Sequence, residues 1–216
     1  GEPTNPNTLG EMIKVGRRGS LNGEITIKGK QGHVAYPEKC KNPIDDLLKV
    51  CSSLNEKLDE GSKTFQPSKL TITSIDVGNK VTNLVPNSVK LRFNVRFNDN
   101  FKSGDIIKII NDRLKSSNCN YDLKTKVSGE SFFNFSEKLT DSIVEAIKKV
   151  TKTEPELSTS GGTSDARFIS KICPVIEFGI VGKTMHQINE NISVTDIEKL
   201  SEIYFLFLKN IFKDKF

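Results

Sequence analysis

Only two histidines serve the whole of this 216-residue chain, so any imidazole chemistry rests on His33 or His186. His33 lies in Gly29-Lys-Gln-Gly-His-Val-Ala-Tyr-Pro37, and His186 in Lys183-Thr-Met-His-Gln-Ile-Asn189. An imidazole can ligate a metal, move a proton or donate a hydrogen bond. Gly16-Arg-Arg-Gly-Ser20 sets Arg17 and Arg18 between glycines. It reads either as a solvated turn or as a clamp, because a guanidinium fork takes a carboxylate with two parallel bonds. Gly161-Gly-Thr-Ser-Asp165, just ahead of a short helical pattern, can present N–H groups and hydroxyls to an anion, or simply cap that helix. The four cysteines (Cys40, Cys51, Cys119 and Cys173) show no CxxC spacing, which argues against structural zinc and against a disulfide framework. No GxSxG elbow, P-loop, GxGxxG or HExxH occurs.

The elements that must position these groups follow from periodicity. Glu24–Lys28, Lys69–Ile75, Val89–Phe97 and Tyr121–Val127 alternate as strands, with Val89, Leu91, Phe93, Val95 and Phe97 on one face. Asn42-Pro43 is a helix start, followed by an apolar stripe of Ile44, Leu47, Leu48, Cys51, Leu54 and Leu58 that Gly61 ends. Ser103 caps a second helix carrying Ile106, Ile107, Ile110 and Leu114. The resulting order, β-α-β-β-α-β, is that of the ferredoxin-like unit.

Past Gly129 the texture changes. Leu139, Ile143, Ile147 and Val150 mark an amphipathic helix, and a short helix is expected over 166–170. Pro174–Phe178 reads as a buried parallel strand with His186 in the loop beyond it, near a strand's carboxyl end, where open α/β sheets bind ligands. Thr195-Asp196 caps a last helix with Ile197, Leu200, Tyr204, Phe207, Leu208 and Ile211 inward. The expected class is α+β: a ferredoxin-like β-α-β-β-α-β unit at 21–128 inserted into an incomplete α/β domain formed by 1–20 and 129–216.

Composition narrows the function class. With 35% hydrophobic and 27% charged residues the chain resembles an ordinary globular protein. The net charge of +5 is scattered rather than striped, so nucleic acid is not an expected partner. No apolar run approaches the ~18 residues of a membrane span, no signal peptide opens the chain, and a cytoplasmic setting is expected. The chain opens on Gly1-Glu-Pro3 without an initiator Met, as processing or truncation would leave it.

Taken in order, Gly1-Glu-Pro3, Gly16-Arg-Arg-Gly-Ser20, Gly32-His-Val-Ala-Tyr-Pro37, Asn83-Leu-Val-Pro-Asn87, Phe93-Asn-Val-Arg-Phe97, Gly161-Gly-Thr-Ser-Asp-Ala-Arg-Phe168 and Met185-His-Gln-Ile-Asn-Glu190 closely resemble the succinyl-diaminopimelate desuccinylases. These are members of the M20 family of dinuclear zinc aminoacylases and carboxypeptidases, and the resemblance runs over nearly the whole chain.

The resemblance implies hydrolysis of the amide of N-succinyl-LL-2,6-diaminopimelate, in lysine and diaminopimelate biosynthesis. It implies two Zn2+ (or Co2+) in the full-length enzyme, makes 1–20 and 129–216 part of its zinc-hydrolase catalytic domain, and makes the 21–128 unit a lid or dimerisation domain through which a homodimer forms. It makes Glu2 and His186 metal ligands and His33 the oxyanion donor supplied in trans. It places Arg17, Arg18, Asn83, Arg96, Gly162 and Thr163 at the carboxylates of a small dicarboxylate amino-acid substrate.

Gly182 stands where several relatives have Asn, which puts that contact in doubt. The family's other metal ligands and its general-base glutamate precede the Gly-Glu-Pro motif, so this chain alone is expected to be inactive and its metal site absent or incomplete. Another M20 amidohydrolase, such as acetylornithine deacetylase, and a non-catalytic dimerisation module are the alternatives.

Overall fold

The structure, a computed structural model, describes residues 1–212; residues 213–216, the end of the expected 129–216 segment, lie outside the described residues. In chain order the elements are β1 (Met12–Lys14), β2 (Gly16–Arg17), β3 (Gly19–Lys28), β4 (Gly32–His33), α1 (Pro43–Leu54), β5 (Lys69–Asp76), β6 (Leu84–Val85), β7 (Ser88–Phe97), α2 (Ser103–Ser116), β8 (Tyr121–Gly129), β9 (Phe132–Phe133), α3 (Glu137–Thr151), β10 (Glu156–Ser158), α4 (Ala166–Ile169) and α5 (Val194–Ile211). The described residues divide into two compact units, one of 1–17 with 132–212 and one of 18–131.

The 18–131 unit is built on an antiparallel sheet in the order β5-β7-β3-β8. Alternation along β7 buries Val89, Leu91, Phe93, Val95 and Phe97, and onto that face pack Leu47, Val50 and Leu54 of α1 and Ile106, Ile110 and Leu114 of α2. Each such side chain stabilises the unit by about 1.5–3 kcal/mol. The two largest depend on glycines across the ladder, where Gly23 pairs with Phe93 and Gly19 with Phe97. A Cβ at Gly23 would stand 2.0 Å from the Phe93 ring, so the absent side chain makes room for the aromatic one.

Local signals set the helix starts more accurately than the ends. The Asn42 side chain accepts the Ile44 N–H at 3.2 Å, and Pro43 occupies the first turn. The helix stops at Leu54, however, and not near Gly61. Residues 55–68 form a loop pinned by Asp59, whose Oδ1 accepts from Gly61 N, Ser68 N and Asn98 Nδ2. Those bonds lower the Asp59 pKa, outweighing the upward push of burial. Leu48 is exposed while Val50 is fully buried, so the buried stripe is rotated from the expected one. Ser103 is the first residue of α2 rather than its cap; Asp105 accepts the Lys102 N–H and Glu130 the Ser103 N–H.

In the other unit β1 runs parallel to β10, and β2 pairs antiparallel with β9. Pro174–Phe178 is not the expected parallel strand. It meets β1 at one antiparallel bridge, where Lys14 and Glu177 exchange both N–H···O bonds at 2.9 Å. Pro174 has no N–H to extend a ladder. Helices α3 and α5 pack together around Ile143, Ala146, Ile147 and Ile203. Ile203 is the buried centre of α5, whereas Ile197 and Leu208 are exposed. The helix begins after Ser193, before the expected Thr195-Asp196 cap.

Candidate active site

His33 and Asn83 come together in the 18–131 unit through the short ladder of β4 and β6. His33 pairs with Leu84, and the next N–H, of Val34, donates to the Asn83 carbonyl at 3.1 Å. The His33 ring is exposed, and its Nδ1 accepts the Ala35 N–H at 3.1 Å. A neutral imidazole whose Nδ1 accepts must carry its proton on Nε2, so the outward nitrogen is a hydrogen-bond donor. Tyr36 sets its ring edge-on to the imidazole, with centroids 6.0 Å apart, and Lys39 stacks on the far partner of that pair, 4.7 Å from the Tyr36 ring centre. Tyr36 was not among the candidates from sequence, although it lies in the same Gly–Pro loop.

Arg18 and Arg96 form a second group in the same unit. Arg96 stands opposite Ser20 and Lys69 across the ladder, on the sheet face away from the helices. Arg18 donates to the Pro67 carbonyl at 3.2 Å and lines a cleft of about 410 Å³ with Ser68, Lys69 and Leu70. Burial, then the neighbouring Arg96 charge, lowers the Arg18 pKa. Arg18 Nε and Arg96 Nη1 are each buried without a hydrogen-bond partner. Two adjacent cations with unsatisfied donors make a place where an anion is favoured on both counts.

In the other unit Arg17 is nearly fully buried and gives its Nε to Glu177 Oε2 at 2.6 Å. That fork is therefore committed within the fold. Its Nη1 reaches the Ser160 carbonyl at 3.5 Å, directly beneath Gly161. Gly161 adopts φ +96°, a left-handed conformation suited to glycine. Gly162 has open space around it, and the buried Ser164 hydroxyl has no partner.

Glu2 and His186 are both exposed. The segment after Glu2 is tied to 179–182: Asn5 Nδ2 donates to the Gly179 carbonyl at 2.6 Å, and Gly182 N to the Asn5 carbonyl at 2.8 Å. His186 holds φ +64°, unusual for a residue with a side chain, in the turn that begins at Gly182.

Among the described residues no three or more His, Cys, Asp or Glu side chains gather as a metal cage. Glu2 and His186 supply two donors, and a catalytic zinc takes three protein ligands and a water. The residues present thus do not fit a complete zinc centre. Sequence reasoning also passed over Lys14 and Glu177. Their signal was a charged residue in each of two short apolar runs, where burial demands a partner.

Residues 15–122 match the family described as Peptidase dimerisation domain. The succinyl-diaminopimelate desuccinylase of Pelagibacter ubique (strain HTCC1062) is 50% identical over 98% of this chain and 56% of its own length. The one from Ehrlichia chaffeensis (strain ATCC CRL-10679 / Arkansas) is 47% identical over 98% of this chain and again 56% of its own length. The chain therefore spans little more than half the length of these curated relatives. Among solved structures, aminopeptidase PepT from Bacillus cereus superposes with TM-score 0.80 at 21% identity, covering 96% of this chain and 55% of that one. An M20 family metallo-carboxypeptidase from Sulfolobus solfataricus gives TM-score 0.80 at 18% identity, covering 98% of this chain and 62% of that one. The likeness to these two is one of fold. With half its length matched to the dimerisation domain and nearly all of it aligned to desuccinylases, the chain belongs to the M20 peptidase family.

Proposed function

We propose that this chain is the lid and C-terminal catalytic portion of a desuccinylase that hydrolyses N-succinyl-LL-2,6-diaminopimelate to succinate and LL-2,6-diaminopimelate. The observation that carries the reading is 50% identity sustained over 98% of the chain. The 18–131 unit, with its β-α-β-β-α-β order, is then a ferredoxin-like lid through which two copies pair, and the cytoplasm is its setting.

Within this reading each group has a task suited to its chemistry. Arg18 and Arg96 offer unpartnered N–H donors to substrate carboxylates, and the N–H groups of Gly162 and Thr163, in a loop where a Cβ at Gly162 would meet nothing within 4 Å, take another. His33, protonated on Nε2, donates to the oxygen on which negative charge develops as the amide carbon becomes tetrahedral. It is exposed on the dimerisation unit and is supplied to the neighbouring copy. Asn83 sits beside it as a second polar contact. Glu2 and His186 stand as two metal donors, short of the number a catalytic centre needs, so no step is assigned to metal here.

The test is hydrolysis of succinylated against acetylated substrates by the longer protein. Preference for the acetylated amide would make it a different M20 amidohydrolase. His33→Ala should lower kcat by about 10²–10³, as loss of one oxyanion donor does, with the metal content unchanged; loss of a metal equivalent would return His33 to the ligands. A non-catalytic dimerisation module is the second reading, favoured by the family matched at 15–122. It would be upheld by a longer protein that dimerises in sedimentation and hydrolyses neither substrate.

A further inference from the structure

We propose that Lys14 is a positioning residue for the Gly161–Thr163 loop, holding Ser160 from beneath so that the loop's N–H groups face a substrate carboxylate. This rests on the function proposed above, in which Gly162 and Thr163 bind such a group. The Lys14 side chain is buried, and its ammonium donates to Ser160 Oγ at 2.7 Å and Ser158 Oγ at 3.4 Å. The two hydroxyls are themselves 2.9 Å apart, and the Ser160 N–H donates to Ser158 Oγ at 3.2 Å.

Ser160 is thus held at both polar ends. Lys14 takes its hydroxyl, and Arg17 Nη1 takes its carbonyl. Arg17 is in turn fixed by Glu177, whose backbone is bonded to that of Lys14 in both directions. The next residue is Gly161 in its left-handed conformation, where a Cβ would come within 2.8 Å of Arg17 Nη1. Two cations therefore define where the loop leaves Ser158 and how it turns. Their two positive charges are matched by two carboxylates, Glu177 and, on the adjoining strand, Glu156, so the grip on the loop is one of position and not of net charge.

The grip is sensitive to protons. Burial, then the Arg17 charge, lowers the Lys14 pKa to about 8, against the opposing pull of Glu156 and Glu177. Above that pH the Lys14 charge is lost, and the hydrogen bonds to Ser160 and Ser158 are no longer charge-assisted.

The test uses the longer protein with a succinylated substrate. Lys14→Met should raise KM about tenfold, as expected for a lost hydrogen bond to a charged group, with kcat within about twofold. Lys14→Arg should restore KM, and because arginine keeps its charge, the alkaline rise in KM near the Lys14 pKa should vanish in it. Ser160→Ala should shift KM in the same direction as Lys14→Met. Hydrogen exchange supplies a readout independent of turnover: amides of 159–164 should exchange faster in Lys14→Met, with those of β3 and β7 unchanged. An active wild type whose KM, pH profile and 159–164 exchange are unmoved by Lys14→Met overturns the proposal. A wild type that hydrolyses nothing overturns the functional reading instead, and the exchange arm still decides whether Lys14 holds the loop. If Lys14→Met does not fold, Lys14→Arg and Ser160→Ala carry the same decision.

Discussion

The two units of this chain use charge and apolar surface in opposite ways. The 18–131 unit gathers fifteen buried apolar side chains into one cluster between a single sheet face and two helices. The residues proposed for its site, His33, Asn83, Arg18 and Arg96, sit on β4, on loops and on the sheet's other face, outside that cluster. The unit of 1–17 and 132–212 gathers eight. It leaves Ile172, Ile188, Val194 and Phe205 largely exposed, while burying Lys14, Arg17 and Glu177. One unit is a self-sufficient scaffold carrying its chemistry on top. The other exposes Glu2 and His186 as well, but places charge in its interior, at Lys14, Arg17 and Glu177.

That contrast can be broken first at the apolar cluster. Phe93→Ala should cost the 18–131 unit about 3–5 kcal/mol, read as lowered urea resistance of β3, β7 and β8 amides in hydrogen exchange. An equal loss in α3 and α5 would show that the units do not hold their cores separately. Next, Arg17→Met strands the buried Glu177 carboxylate and should cost the other unit about 3 kcal/mol, the lower end for breaking one side of a buried pair. Full stability in that variant would mean that Lys14 alone neutralises Glu177.

The smallest effect is the most diagnostic, because the two units should respond to pH with different windows. Asp59 has its pKa lowered in the fold, so the stability it contributes to the 18–131 unit is present above the ordinary carboxylate value and lost as pH falls through the native one. Asp59→Asn should flatten that acid limb. Lys14 has its pKa lowered to about 8, so the unfolded chain binds its proton more tightly than the fold does. The other unit should therefore gain stability as pH rises from about 8 toward the ordinary lysine value near 10.4. Lys14→Met should remove that gain, and pH-resolved denaturation of the two variants measures both slopes.

The strands of the 18–131 unit and the starts of its helices were legible because their signals are local. Alternation along Val89–Phe97 names the buried face without any knowledge of neighbours, and Asn42-Pro43 caps a helix by its own hydrogen bond. Helix ends and stripes were less so. Leu48 and Val50 are both apolar, and which one turns inward depends on what packs against α1. Ile203 was missed in α5 for the same reason, and Pro174–Phe178 reads as a strand until the ladder it would join proves to be one bridge long.

The site shows the same division. Residue types alone pointed to His33, His186, the arginine pair and the Gly161–Asp165 loop, because imidazole, guanidinium and glycine have chemistry that does not depend on context; the resemblance to a family added Glu2, Asn83 and Arg96. Folding decided what each can do. It bonded His33 Nδ1 to Ala35 and so turned Nε2 into the outward donor. It separated the two adjacent arginines, burying Arg17 against Glu177 and setting Arg18 beside Arg96 with donors unspent. It also brought Lys14 to Ser160, 146 residues away. Hydrogen-bond partners and burial are properties of the packed chain, whereas the capacity to donate, accept or carry charge belongs to each residue from the start.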